Sequence, residues 1–173
     1  DIKDVKYGNP WVVGSVEDES HGSHVAGIVL ASRNNGKGMN GVTNNVKLIT
    51  ARAVPDGDEY DKDVALAIRY MADMGAKVVN MSFGKSFSPE KKWVDEAVKY
   101  AESKGVLLVH AAGNDAANID STDNFPNTDL RTIKSTASNW ITVGASSDPL
   151  AEPGFNSFTA SFSNYGKQGV DVF

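Results

Sequence analysis

Apolar residues along this chain alternate between two spacings. Residues 61–75 place Val64, Ala65, Leu66, Ile68, Met71, Ala72 and Met74 at the 3.6-residue period of an amphipathic helix. Residues 90–104 repeat the pattern with Trp93, Val94, Ala97, Val98 and Ala101. Ser88-Pro89 offers an N-cap and a first-turn proline before it, and Gly105 a stop after it. Between and after these helices come short, nearly continuous apolar runs at 46–54, 77–83, 106–110 and 141–145. Such runs predict strands buried on both faces. Strand alternating with helix predicts an α/β fold in three layers, helix, mostly parallel sheet, helix, with right-handed crossovers. Near the start, residues 21–29 mix Gly22 and Gly27 with Val25, Ala26, Ile28 and Val29, which reads as a helix with a buried face and close backbone approach at the glycines. The polar stretch 118–139 reads as a long surface loop.

Composition narrows the possibilities. The 173 residues fit one domain with a real core, and neither an internal repeat nor a second domain is visible. A net charge of −5 without any basic block argues against nucleic acid as a main partner. No apolar run is long enough to span a bilayer, and the charged opening Asp-Ile-Lys-Asp does not read as a signal peptide. The absence of cysteine removes disulfides, thiolate chemistry and thiolate metal ligands.

The candidate chemistry gathers at one edge. In an open parallel sheet, ligands bind beyond the carboxyl ends of the strands. Three segments belong there: residues 55–60, Ser82-Phe83-Gly84, and Ala111-Ala112-Gly113-Asn114. A fixed Asn114 amide at that edge suits a developing oxyanion, although Gly-Asn alone equally describes a turn. His21, at the open end of a helix, suits a general base. His21 and His24 are spaced as a possible metal pair, but no third ligand stands at helical spacing, so no metal site is expected. The acidic run Asp56, Asp58, Glu59, Asp61 and Asp63 does not have the spacing of a calcium loop; it reads as a solvated rim. Asp120, Asp123 and Asp129 are possible calcium ligands without a supporting pattern.

Five segments together resemble the subtilisin-like serine proteases, or subtilases. They are His21-Gly22-Ser23-His24-Val25-Ala26-Gly27-Ile28-Val29, Asn80-Met81-Ser82-Phe83-Gly84, His110-Ala111-Ala112-Gly113-Asn114, Ile141-Thr142-Val143-Gly144-Ala145, and Ala160-Ser161-Phe162-Ser163-Asn164-Tyr165-Gly166. The likeness covers nearly the whole chain, and the cleft sequence is most similar to Bacteroidetes-type members. The resemblance implies a serine endopeptidase working through an acyl-enzyme, with His21 as general base and Asn114 as oxyanion donor. Peptide substrate would lie along Gly57, Asp58 and Glu59 on one side and Ser82, Phe83 and Gly84 on the other. Gly84, Ala111, Ala112 and Gly113 would line a roomy, apolar primary pocket. Phe83 would either wall a more distant subsite or pack in the core.

The family's Asp-Ser/Thr-Gly and Gly-Thr-Ser-x-Ala patterns do not occur in these residues. The chain therefore reads as the central part of a catalytic domain, residues 1–173, with the nucleophile and the orienting carboxylate outside it. The runner-up is an inactive peptide-binding fragment or pseudoprotease. No cofactor is expected for the chemistry, and structural calcium has no clear motif. The family implies an extracellular or periplasmic location. An incomplete domain also implies exposed apolar surface, and hence self-association or a need for the missing segments.

Overall fold

The computed structural model describes residues 20–54, 59–148, 150 and 157–173. Its elements in chain order are α1 (Ser20–Leu30), α2 (Asp61–Asp73), β1 (Val78–Met81), α3 (Lys91–Ser103), β2 (Leu107–Ala111), β3 (Asp129–Leu130), β4 (Ser135–Thr136) and β5 (Trp140–Val143). A single 3-10 turn, Arg131–Ile133, separates β3 from β4.

The core is a parallel sheet in the order β1-β2-β5, with Val79 opposite Leu108 and Leu108 opposite Trp140. Side chains alternate between the faces of a strand. One face therefore carries Val79, Met81, Leu108, His110, Trp140 and Thr142. Helices α2 and α3 cover it, packing Val64, Ala65, Ile68, Val94, Ala97, Val98 and Ala101 into one cluster with Met81, Leu108 and Trp140. The helical period expected at both segments is the one that buries these residues. Gly105 stops α3 at φ +69°, a backbone conformation that costs a side chain, while its N–H bonds the Glu102 carbonyl at 2.9 Å.

Several expectations change. Ser88 does not cap α3; its hydroxyl donates to Asp61 Oδ1 at 2.9 Å, and Glu90 is the cap residue. Buried Asp61, in the first turn of α2, also takes the Glu90 N–H at 2.8 Å and pairs with Lys85 at 2.7 Å, so tertiary partners outbid the local cap. The 118–139 stretch is more than a surface loop. It holds the β3–β4 hairpin, and Leu130 is fully buried in the core.

Residues 46–54 form no strand and lie mostly exposed. Their backbone finds no ladder among the described residues, and an apolar run without a partner strand has nowhere to place its N–H and C=O groups except water. The helix α1 is present, but it buries none of its residues and packs closely against no other helix or strand. A Cβ added at Gly22 or Gly27 would meet nothing within 4 Å; the close approach comes instead at Gly41, 2.5 Å from the Ala31 nitrogen. Gly41, Val42 and Thr43 donate to Ala31, Ile28 and Val29 and satisfy the last carbonyls of α1. The second helical layer is accordingly missing among the described residues, and the sheet face carrying Val78, Asn80, Leu107, Val109 and Ile141 is half-buried to exposed. Met81 and Leu108, by contrast, are sealed by the chain's own core.

Candidate active site

Parallel pairing of β1 with β2, Met81 opposite His110, aligns the two carboxyl ends and sets Ser82-Phe83-Gly84 beside Ala111-Ala112-Gly113-Asn114. Asn80 Nδ2 donates to the Ser82 hydroxyl at 2.8 Å. Beyond Gly84 the backbone of Lys85 exchanges two hydrogen bonds with Phe125, at 3.1 and 2.8 Å. That exchange brings Asn124 into the cleft. Its Nδ2 donates to the carbonyls of Ala111 at 3.1 Å and Ala112 at 2.9 Å. A Cβ on Gly84 would lie 2.5 Å from Asn124 Oδ1. The two cleft segments are thus joined through one side-chain amide, and the pocket expected to be apolar has a polar floor.

The loop after β2 is held from the other side. Ala112 N–H donates to the Val143 carbonyl at 2.8 Å, and the Asn164 N–H donates to Gly113 at 2.9 Å. Gly113 stands at φ +106°, and a Cβ there would sit 2.3 Å from Asn164 Nδ2, so only glycine fits. Asn114 itself is exposed at the lip of the loop. Phe83 meets His110 edge-on, 6.3 Å between ring centres, and packs against the core cluster. Of its two expected roles, the core one is what the geometry provides.

His110, one residue before the Ala111–Asn114 loop, is 3% exposed, and its Nε2 has no hydrogen-bond partner. Burial pushes its pKa down to about 4 against the raising effect of a hydrogen bond it donates to the Phe83 backbone, so it is neutral at pH 7. It lines a polar cavity of about 430 Å³ shared with Thr142, Asn124, Asp120, Asp129 and Arg131. The carboxylates there are engaged. Asp120 accepts the N–H groups of Lys167, Gln168 and Gly169, at 2.8, 3.0 and 2.8 Å. The bond from Gln168 is the largest influence holding its carboxyl below the usual aspartate range. Asp123 and Asp129 pair with Arg131 at 2.5 and 2.7 Å.

His21 lies in the first turn of α1 and is exposed, as is His24. No close packing of α1 onto the sheet among the described residues brings His21 to Asn114. Asp56, Gly57 and Asp58 fall outside the described residues. Glu59 is half-buried, and its carbonyl accepts a hydrogen bond from Lys85 Nζ. A cation therefore sits directly beside Glu59 and Asp61 of the acidic rim. Asn124 and Lys85 carry no local signature: each acts on groups a dozen or more residues away, and Asn164, though inside a family-like segment, shows its role only through its bonds to distant backbone.

Comparison with known proteins bears on the family and the fold. A sequence profile of the Subtilase family (Peptidase_S8) matches residues 6–172. The chain is 35% identical over 159 residues to a cell wall-associated protease of Bacillus subtilis (strain 168), covering 91% of this chain and 15% of that protein. It is 37% identical over 162 residues to a thermophilic serine proteinase of Bacillus sp. (strain AK1), covering 88% of this chain and 35% of that one. A solved protease from Pseudoalteromonas arctica PAMC 21717 superposes with a TM-score of 0.67 at 28% identity, over 86% of this chain and 41% of its own. The chain thus spans about a third or less of the length of these two curated relatives.

Proposed function

The chain belongs to the subtilase family, and from that membership we propose that residues 1–173 are part of the catalytic domain of a serine endopeptidase. The observation that carries this reading is the joined edge of β1 and β2, where Ser82–Gly84 and Ala111–Asn114 stand side by side with Asn124 between them. An extended peptide adds to the Ser82–Gly84 edge by main-chain hydrogen bonds, with Gly57, Asp58 and Glu59 on its other side. Its primary side chain enters between Gly84 and Ala111-Ala112-Gly113. A serine outside this chain attacks the scissile carbonyl. His21 accepts the serine proton and returns it to the leaving amine, an aspartate outside the described residues orients the imidazole, and Asn114 donates to the oxyanion. This assembly requires α1 to move onto the open sheet face. The chemistry itself calls for no cofactor. The name of one relative, a cell wall-associated protease, supports an extracellular or periplasmic location, and no described helix is long and apolar enough to cross a membrane. A closer affinity with Bacteroidetes-type members rests on the cleft sequence alone.

Fluorophosphonate labelling, read by intact mass, tests the proposal. The full-length protein that carries this chain should take one adduct, lost in His21→Ala, while residues 1–173 alone should take none. An adduct on a serine within residues 1–173 would sink the assignment. A full-length protein that binds peptide yet neither labels nor hydrolyses it would be a pseudoprotease.

A further inference from the structure

Four hydrogen bonds of Asn164 go to the loop that carries Asn114. Its Nδ2 donates to the Ala112 carbonyl at 2.8 Å, and its backbone N–H donates to the Gly113 carbonyl at 2.9 Å. Its Oδ1 accepts the N–H groups of Asp115 and of Ala117, both at 2.9 Å. The grip therefore falls on both sides of Asn114, two residues before it to three after it, without touching Asn114 itself. The loop has left the sheet at Ala111, so the Asp115 and Ala117 amides have no ladder of their own, and an unmet polar group in a buried setting is costly. Asn164 is 2% exposed, and its amide lies 2.3 Å from where a Gly113 Cβ would be. Ser163 fixes the other end of the lever: its hydroxyl accepts the Ala145 N–H and donates to the Asn164 carbonyl, both at 2.9 Å.

Asn114 is exposed and contributes no hydrogen bond to the loop, so its placement is inherited from the backbone around it. An oxyanion donor works only when it is held at the point where charge develops, and a misplacement of about 1 Å costs about 10²-fold. We propose that Asn164 is the positioning residue for the Asn114 oxyanion donor, a proposal that rests on the reading of Asn114 given above. A side chain acting through Asn114 has a signature that a general loop staple lacks. Its effect disappears once Asn114 is gone.

The experiment is a double-mutant cycle in the full-length protein, with kcat counted per fluorophosphonate-titrated site so that only folded molecules enter. Asn164→Ala should lower kcat about ten- to 100-fold and change KM less than threefold. In an Asn114→Ala background the same substitution should change kcat by less than about twofold. The smaller Asn164→Ser keeps an uncharged hydroxyl able to donate or accept within the loop, so it should fold and fall between wild type and Asn164→Ala. Losses that multiply across the cycle would overturn the proposal, as would a loss confined to KM. Failure of both Asn164 variants to give any titratable site would also overturn it, by assigning Asn164 to fold maintenance alone. An Asn114→Ala variant with unchanged kcat would instead remove the reading on which the proposal rests.

Discussion

Two stretches of this chain carry the same kind of apolar pattern and meet opposite fates. From Asp61 onward, helix and strand periods convert into a sealed core, with Ala65, Ala97, Val98, Leu108 and Leu130 buried to within 1%. From Ser20 to Val54 the apolar residues are as frequent, yet Gly41 is the only buried residue, and Ile28 is 40% exposed. The difference lies in partners. Helices α2 and α3 face each other and one sheet, whereas α1 and the 46–54 run pack closely against no other helix or strand among the described residues. An apolar period states which side of an element is able to pack; burial requires a second surface in place. The proposed site straddles this divide, with Asn114 on the sealed side and His21 on the open one.

The largest expected effect lies in the sealed region. Lys91 and Asp95 form a buried pair at 2.6 Å, and Lys91 also donates to the Asp129 carbonyl at 2.7 Å. Asp95 Oδ2 accepts the hydroxyl and N–H of Thr132, at 2.6 and 3.2 Å. Asp95→Ala strands a buried ammonium and should cost about 3–5 kcal/mol in urea unfolding. Leu108→Ala should cost about 2–5 kcal/mol by the same measurement. A loss under about 1 kcal/mol in either variant would mean that this block is not the cooperative core.

Acid should weaken the sealed region through His110. Its folded pKa of about 4 lies below the ordinary value of 6.5. Between those two values the unfolded chain binds a proton that the folded chain refuses. Stability from this source is therefore whole above about pH 6.5 and lost progressively toward about pH 4, to roughly 3 kcal/mol. Urea unfolding at pH 7 and pH 4.5 should show the decline, and His110→Leu should flatten it. An equally steep decline in the variant would place the titrating group elsewhere.

The smallest effects belong to the open region. Position inside a helix predicts a packing role for His24, but the side chain is exposed. His24→Ala and Ile28→Ala in the 173-residue chain should each change stability by less than about 0.5 kcal/mol. A cost near that of Leu108→Ala would show that α1 is packed in solution and would erase the contrast.

What the sequence disclosed follows the same line. Both long helices are legible because Val64–Ala72 and Val94–Ala101 are amphipathic on their own, and three of four strands lie within a few residues of expectation. The 46–54 run is indistinguishable from the 106–110 run as a string; only the presence of a neighbouring strand separates them. The β3–β4 hairpin escaped notice because its strands are two residues each and Leu130 is its single deep anchor. At the site, Ser82, Gly84 and Ala111–Asn114 fall where strand order places them. Asn124 was hidden, and Asn164 stood in a family-like segment without an assigned role, because an amide that bonds distant backbone imposes no spacing on its own surroundings.

Segment-resolved amide hydrogen exchange on the 173-residue chain tests the two-region account most directly. Amides of Leu107–Ala111 and of α3 should open only with global unfolding, while those of residues 46–54 and of α1 should exchange orders of magnitude faster. Equal protection in α1 and β2 would contradict the account and place a second packed layer on the sheet.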